Sequence, residues 1–177
     1  MWIAIISGIV TLVALIVLIL KFKSDKLTIY NIKVCEAENE LDALFEKKLS
    51  LLTSLQKALE ERENDYQFKF AFDKENTEND SFKLNSILNK AYKELKEFLE
   101  EKRSYIPDDE VKQLLEELYN VDIECIATKN YYNDKTIILN NKINKFLNKL
   151  IAKFKHISTR EIYVDPVEEE FEILKKK

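Results

Sequence analysis

The sequence predicts an all-α chain: an N-terminal transmembrane helix followed by an antiparallel bundle of three to four long helices. Three observations carry that reading. One glycine and two prolines in 177 residues are too few to punctuate strands and their turns, which favours a few long helices with few loops. Residues Trp2–Leu20 read WIAIISGIVTLVALIVLIL without a charge. From Leu27 an apolar position recurs at alternating gaps of three and four, the pattern of an amphipathic helix.

The first element is the apolar run. As a helix it spans about 28 Å, close to the roughly 30 Å hydrocarbon core of a bilayer. No Lys or Arg precedes it and no Ala-x-Ala-like site follows, so an uncleaved span is expected instead of a signal peptide. A buried soluble helix is disfavoured because no other segment is apolar enough to surround it. Only Met1 precedes the run, whereas Lys21, Lys23 and Lys26 follow it with Asp25 as the sole acid nearby. The positive-inside rule then places the N-terminus outside the cell membrane and the remainder in the cytoplasm. Within the span, Ala4, Ser7, Gly8, Thr11 and Ala14 form one small-residue face, which can let two membrane helices approach. Small residues are also common in spans that pack on nothing.

Three further helices are expected. The first carries the seam Leu27, Tyr30, Val34, Ala37, Leu41, Leu44, Lys48, Leu51, Leu55, Ala58 and Arg62. Its two basic members either lay their stems on apolar surface or face a local gap. Within the apolar cluster DYQFKFAF at 65–72, residues 66–72 read as a continuation of the helix or a short helix of their own, and the polar DKENTENDS at 73–81 as a loop. The next helix covers roughly Ser81–Arg103 on Phe82, Leu84, Ile87, Leu88, Ala91, Tyr92, Leu95, Phe98 and Leu99. IPDDE at 106–110 opens the last, with Pro107 and Asp108 suited to a first turn. That helix is expected to run to about Ile157 on Val111, Leu114, Leu118, Val121, Cys125, Thr128, Tyr132, Thr136, Leu139, Ile143, Phe146, Leu150, Phe154 and Ile157. Comparable lengths predict an up-down-up order with the 103–108 turn near the lipid surface. The organisation is thus an anchor at 1–21, a bundle at 22–157 and a tail at 158–177. The tail is either mobile or a short docking helix. Cys35 and Cys125 form no CxxC motif and read as reduced thiols at different heights of the bundle.

Asparagine weakens helix interiors, yet Asn130, Asn133, Asn140, Asn141, Asn144 and Asn148 fall within about 100° on one face beside the apolar seam. Such amides can bond across an interface or to a partner's backbone. Coding bias in an AT-rich genome explains their number better than their segregation.

The stretch YNDKTIILNNKINKFLNKLIAKF at 132–154 resembles the LemA family of bacterial membrane-anchored helical proteins. The family pattern has Tyr-Asn, five residues, Tyr-Asn again, then an apolar-x-x-Phe-Pro-like ending. Tyr132 and Asn133 match the first pair; Leu139 stands for the second Tyr before Asn140, Ile143 and Phe146 fit, and Leu147 replaces the Pro. Upstream, LDALFEKKLSLLTSL at 41–55 resembles a second motif, with Asp42, Lys47 and Lys48 in register and Thr53 and Ser54 where Pro and Asn are usual. The resemblance implies a single N-terminal span, an outside N-terminus and a cytoplasmic helical bundle. It brings no established catalytic residues. Asp42, Lys47, Lys48, Tyr132, Asn133, Asn140, Asn144 and Phe146 become the candidate partner face.

Catalytic chemistry is not expected. His156 is the only histidine and no Glu stands three residues before it, so the paired Glu-x-x-His motifs of a di-metal site cannot form. One glycine rules out a phosphate-cradling loop. A net charge of −4 disfavours nucleic acid. No enzyme activity, cofactor or metal is expected. The leading reading is a scaffold that binds proteins through its sides. The alternative is an accessory subunit of a membrane protease or transporter, engaged through the small-residue face. Self-association into a membrane coat is a third.

Overall fold

The computed structural model describes residues 1–60, 80–101 and 109–164. Among them the chain forms α1 (Trp2–Glu60), α2 (Ser81–Glu101), α3 (Asp109–Ile143) and α4 (Phe146–Phe154), with no strand. The expectation of an all-α chain with a long apolar N-terminal helix holds. The helical reading of 66–72, the loop at 73–79, Arg62, Pro107, Asp108 and the tail past residue 164 lie outside the described residues. Asp109 and Glu110 fill the first turn of α3, where acidic groups complement the helix dipole.

The chain divides into two compact units, one of residues 38–130 and one of residues 1–37 with 131–177. In the first, α1 buries Leu41, Phe45, Leu51, Leu52, Leu55, Ala58 and Leu59. Leu44 of the expected seam is only half-buried, and Phe45, Leu52 and Leu59 replace its narrow stripe with a wider face. A helix that touches two neighbours needs this broader face, whereas a single partner helix needs only the narrow seam. The neighbours are α2, through Leu88, Ala91 and Leu95, and α3, through Val111, Leu118, Val121 and Cys125.

α1 and α2 depart from the expected up-down-up order. The Ser81 hydroxyl donates to Asp42 at 2.5 Å, and the Lys48 ammonium donates to Asn89 at 3.1 Å. Partners therefore advance together along α1 and α2, so the two helices run in the same direction. The end of α2 then lies toward Glu60 of α1. Asn89 and Asp122 both meet Lys48, about 18 Å before the end of α2 and about 20 Å after the start of α3. Residues 102–108 can span at most about 28 Å. That is too short unless α3 turns back along α2.

In the second unit, Leu27, Val34 and Ala37 of α1 and Tyr132, Thr136, Leu139 and Ile143 of α3 are buried, with Ala152 of α4 and Tyr163. The last helix was expected to continue to Ile157; it breaks after Ile143 instead. Lys145 is extended (φ −77°, ψ 135°), and the Asn148 side chain donates to the Lys142 carbonyl at 2.9 Å. That bond satisfies one of the acceptors a helix end leaves open. The break re-aims the seam, so Phe146, Leu150 and Phe154, expected in the core, are exposed. His156 closes α4 in the left-handed region (φ 55°). Ile157 N–H donates to Ala152 O at 2.9 Å and His156 N–H to Lys153 O at 3.4 Å, the paired bonds of a Schellman cap.

Replacing Phe45 by Ala should cost about 3–5 kcal/mol, as expected for a buried aromatic, whereas Leu44→Ala should cost clearly less. Denaturant unfolding of the full chain in detergent, followed by helical circular dichroism, measures both.

Candidate functional site

Two polar arrangements stand out, one in each unit. In the 38–130 unit the centre is Lys48, 1% exposed in an otherwise apolar stripe. A buried ammonium must find partners, because its desolvation is otherwise prohibitive. It donates to Asp122 Oδ1 at 2.5 Å and Asn89 Oδ1 at 3.1 Å, and its Nζ lies 5.0 Å from the Tyr92 ring centroid. Asn89 in turn donates to Asn85 at 3.4 Å. The basic interruption of the seam is thus a buried ion pair with an amide and an aromatic face around it. Burial pushes the Cys125 thiol above its ordinary pKa, against the opposing pull of Lys48, which keeps it protonated and a poor nucleophile. Tyr92 is raised too, chiefly by burial, against the pull of Lys96.

In the other unit, α3 holds residues 160–163 by side-chain amides. Asn140 Nδ2 donates to the Arg160 carbonyl at 2.8 Å, and Arg160 N–H donates back to Asn140 Oδ1 at 3.0 Å. Asn133 makes the same pair with Tyr163, at 2.7 and 2.8 Å. Between these rungs the Tyr132 hydroxyl donates to Glu161 O at 3.0 Å, and its ring meets the Tyr163 ring edge-on at 5.3 Å. The Arg160 guanidinium reaches Cys35 Sγ at 3.3 Å. The spacing explains why two rungs fit. Asn133 and Asn140 are two helical turns apart, about 10.5 Å, and Arg160 and Tyr163 are separated by about 10 Å of extended chain. An open groove of about 520 Å³ runs beside the Asn140–Arg160 rung, lined by Ile137, Asn140, Asn141, Arg160, Glu161 and Ile162.

The residues proposed as one partner face are distributed over the two units. Lys48, Lys47 and Asp42 belong to the first unit, where Lys47 pairs with Glu117 at 3.0 Å and Asp42 accepts from Ser81. Tyr132, Asn133 and Asn140 bind the chain's own backbone. Asn144 and Phe146 are exposed at the α3–α4 break. Ala4, Ser7, Gly8, Thr11 and Ala14 are exposed along α1, Thr11 donates to Ser7 O at 2.9 Å, and a Cβ at Gly8 would meet nothing within 4 Å. Sequence reasoning missed Asp122, Asn89, Arg160 and Tyr163. A charge in the seam announced that a counter-charge was needed, but the many acids left its identity open.

The model of the LemA family matches residues 46–173. The match takes in Lys47, Lys48 and the 132–154 stretch, and it begins after Asp42 and the apolar run. No curated protein and no solved structure matches the chain significantly.

Asn140→Ala and Asn133→Ala should each remove two hydrogen bonds at about 0.5–1.5 kcal/mol apiece. Hydrogen exchange at Arg160 and Tyr163 should accelerate while the 38–130 unit keeps its protection. Lys48→Ala leaves Asp122 without its cation and should cost about 3–5 kcal/mol, whereas Lys48→Met with Asp122→Leu should restore most of it. Unfolding of the three proteins side by side checks this.

Proposed function

The chain belongs to the LemA family, and from that premise we propose that it is a non-enzymatic membrane-anchored scaffold. Trp2–Leu20 crosses the cell membrane with the N-terminus outside, and the helical units bind other proteins on the cytoplasmic side. The observation that carries the reading is the continuity of α1. One helix runs from Trp2 to Glu60, bare at every position of the apolar run and core-forming from Leu27 onward. An exposed apolar stretch of that length is unfavourable in water and fits lipid. The lysines after it support the orientation. The polar groups in the two arrangements bind one another, which favours support over turnover: Lys48 holds Asp122 and Asn89, and Asn133 and Asn140 hold backbone.

A second reading rests on the small-residue face of Ala4, Ser7, Gly8, Thr11 and Ala14. In it the small-residue face docks on the span of a membrane protease or transporter, and the chain is that enzyme's accessory subunit.

Crosslinking in intact membranes, followed by purification of the full chain in detergent, should recover a reproducible partner. Ser7→Leu with Gly8→Leu should leave that partner in place if the scaffold reading holds, and should lose it if the span is the contact. Recovery of the chain alone, crosslinked only to itself, would replace both with self-association. In spheroplasts, external protease should leave the chain beyond Lys21 intact; digestion there reverses the orientation.

A further inference from the structure

The outward side of α4 is its apolar side. Phe146, Leu150 and Phe154 recur every four residues with Leu147 beside them, at 80, 49, 86 and 41% exposure. Ala152, the buried residue of α4, lies on the opposite side of the helix. Lys149 and Lys153 border the apolar stripe, Lys145 stands exposed just before α4, and no acid occurs between Asp134 and Glu161. A helix with an apolar face beside a lysine-rich one is the pattern of a segment lying in a bilayer interface.

Two contacts fix where α4 sits on α1. Lys155 Nζ, just past its end, donates to Thr28 Oγ1 at 2.9 Å. Lys142 Nζ, just before its start, lies 4.7 Å from the Tyr30 ring centroid. Both contacts fall within one turn of α1, so α4 lies across α1, not along it. Thr28 is only about 12 Å beyond Leu20, the end of the apolar run. If α1 crosses a bilayer, α4 is held in or against the headgroup layer and roughly parallel to the surface.

We propose that α4 is an interfacial helix seated on an anionic bilayer surface, with Phe146, Leu150 and Phe154 at the headgroup–acyl boundary and Lys145, Lys149 and Lys153 at the lipid phosphates. This rests on the reading of α1 as a membrane anchor. The span holds the chain at the membrane; α4 adds a second attachment on the same side, which limits rotation about the span. Lysine stems are long enough to cover apolar surface while their ammonium groups reach phosphate. Each lysine near an anionic leaflet also adds favourable electrostatic attraction.

The test uses the full chain in vesicles of phosphatidylcholine and phosphatidylglycerol whose acyl chains are brominated either near the headgroup or near the methyl end. Bromine quenches tryptophan fluorescence on contact. Wild-type protein, with Trp2 as its sole tryptophan, reports on the anchor; Trp2→Phe with Phe154→Trp reports on α4, and Leu150→Trp in the same background serves if Phe154→Trp misfolds. The expected result is loss of α4 fluorescence with shallow bromines and a smaller loss with deep ones, together with quenching of Trp2. Quenching of Trp2 without quenching at α4 overturns the interfacial helix and leaves the anchor standing. Quenching of neither overturns the anchor and the interfacial helix with it. An α4 signal that ignores bromine but shifts to the blue as protein per lipid rises assigns the face to a second copy. Lys145→Gln with Lys149→Gln and Lys153→Gln should weaken shallow quenching in phosphatidylglycerol vesicles; unchanged quenching removes the phosphate contact from the proposal.

Discussion

Everything else in the structure is built against the continuity of α1. After Gly8 the helix contains neither glycine nor proline, so nothing breaks its hydrogen-bond ladder before Glu60. Its surroundings change along its length: bare residues to Leu20, then buried Leu27, Val34 and Ala37, then the wide face from Leu41 to Leu59. One element therefore supplies both the membrane-like surface and core positions in each unit. The absence of helix-breaking residues after Leu20 keeps α1 one continuous helix past the apolar run.

The asparagines acquire a purpose from geometry. An amide presents a donor and an acceptor side by side, as a backbone peptide does in a β-ladder. Asn133 and Asn140 thus offer an extended segment two stations of sheet-like pairing on the side of a helix. Their seven-residue interval matches three residues of extended chain because the two rises, about 1.5 and 3.3 Å per residue, stand near that ratio. The LemA-like pattern of two Tyr-Asn pairs seven residues apart has that same interval. At the first pair the Tyr132 hydroxyl adds a bond to Glu161 O. At the second, Leu139 is fully buried and brings no hydroxyl, so the Asn140 rung works with its amide alone. The small helix penalty of asparagine is offset by bonds that no apolar residue could make.

Much of this was legible in the sequence, and the failures have identifiable causes. The apolar run and the seam from Val111 to Ile143 follow from composition and period, which are local properties. The period could not show the break at Asn144 and Lys145, because Phe146, Leu150 and Phe154 keep the same spacing after the helix axis has changed. Periodicity says which residues share a face, and not what that face meets. The Asn148 bond to Lys142 O crosses the break, and its six-residue separation is foreign to a continuous helix. The direction of α2 was misread because comparable lengths suggested one pass from residue 66 to 103. The contacts of Asp42 and Lys48 start the α2 pass at Ser81. Pairing Lys48 with Asp122 required three-dimensional proximity, since acids are abundant on every polar face.

Lys48, Asn133 and Asn140 are already bonded within the chain and are poorly available to a partner. Lys48 is surrounded, and the central asparagines are held by Arg160 and Tyr163. A surface that recognises something else must carry unmet demand, and an amide already making two good bonds carries little. The exposed apolar faces are different: water does not satisfy them, and their burial gains on the order of 25 cal/mol per Å². Two such surfaces lie in the same unit, the apolar run of α1 and the outward face of α4. The lysines after Leu20 and those of α4 have the charge that an anionic surface attracts. The same physical demand, apolar area beside positive charge, is therefore made twice near one level of α1. A single bilayer surface meets both demands at once.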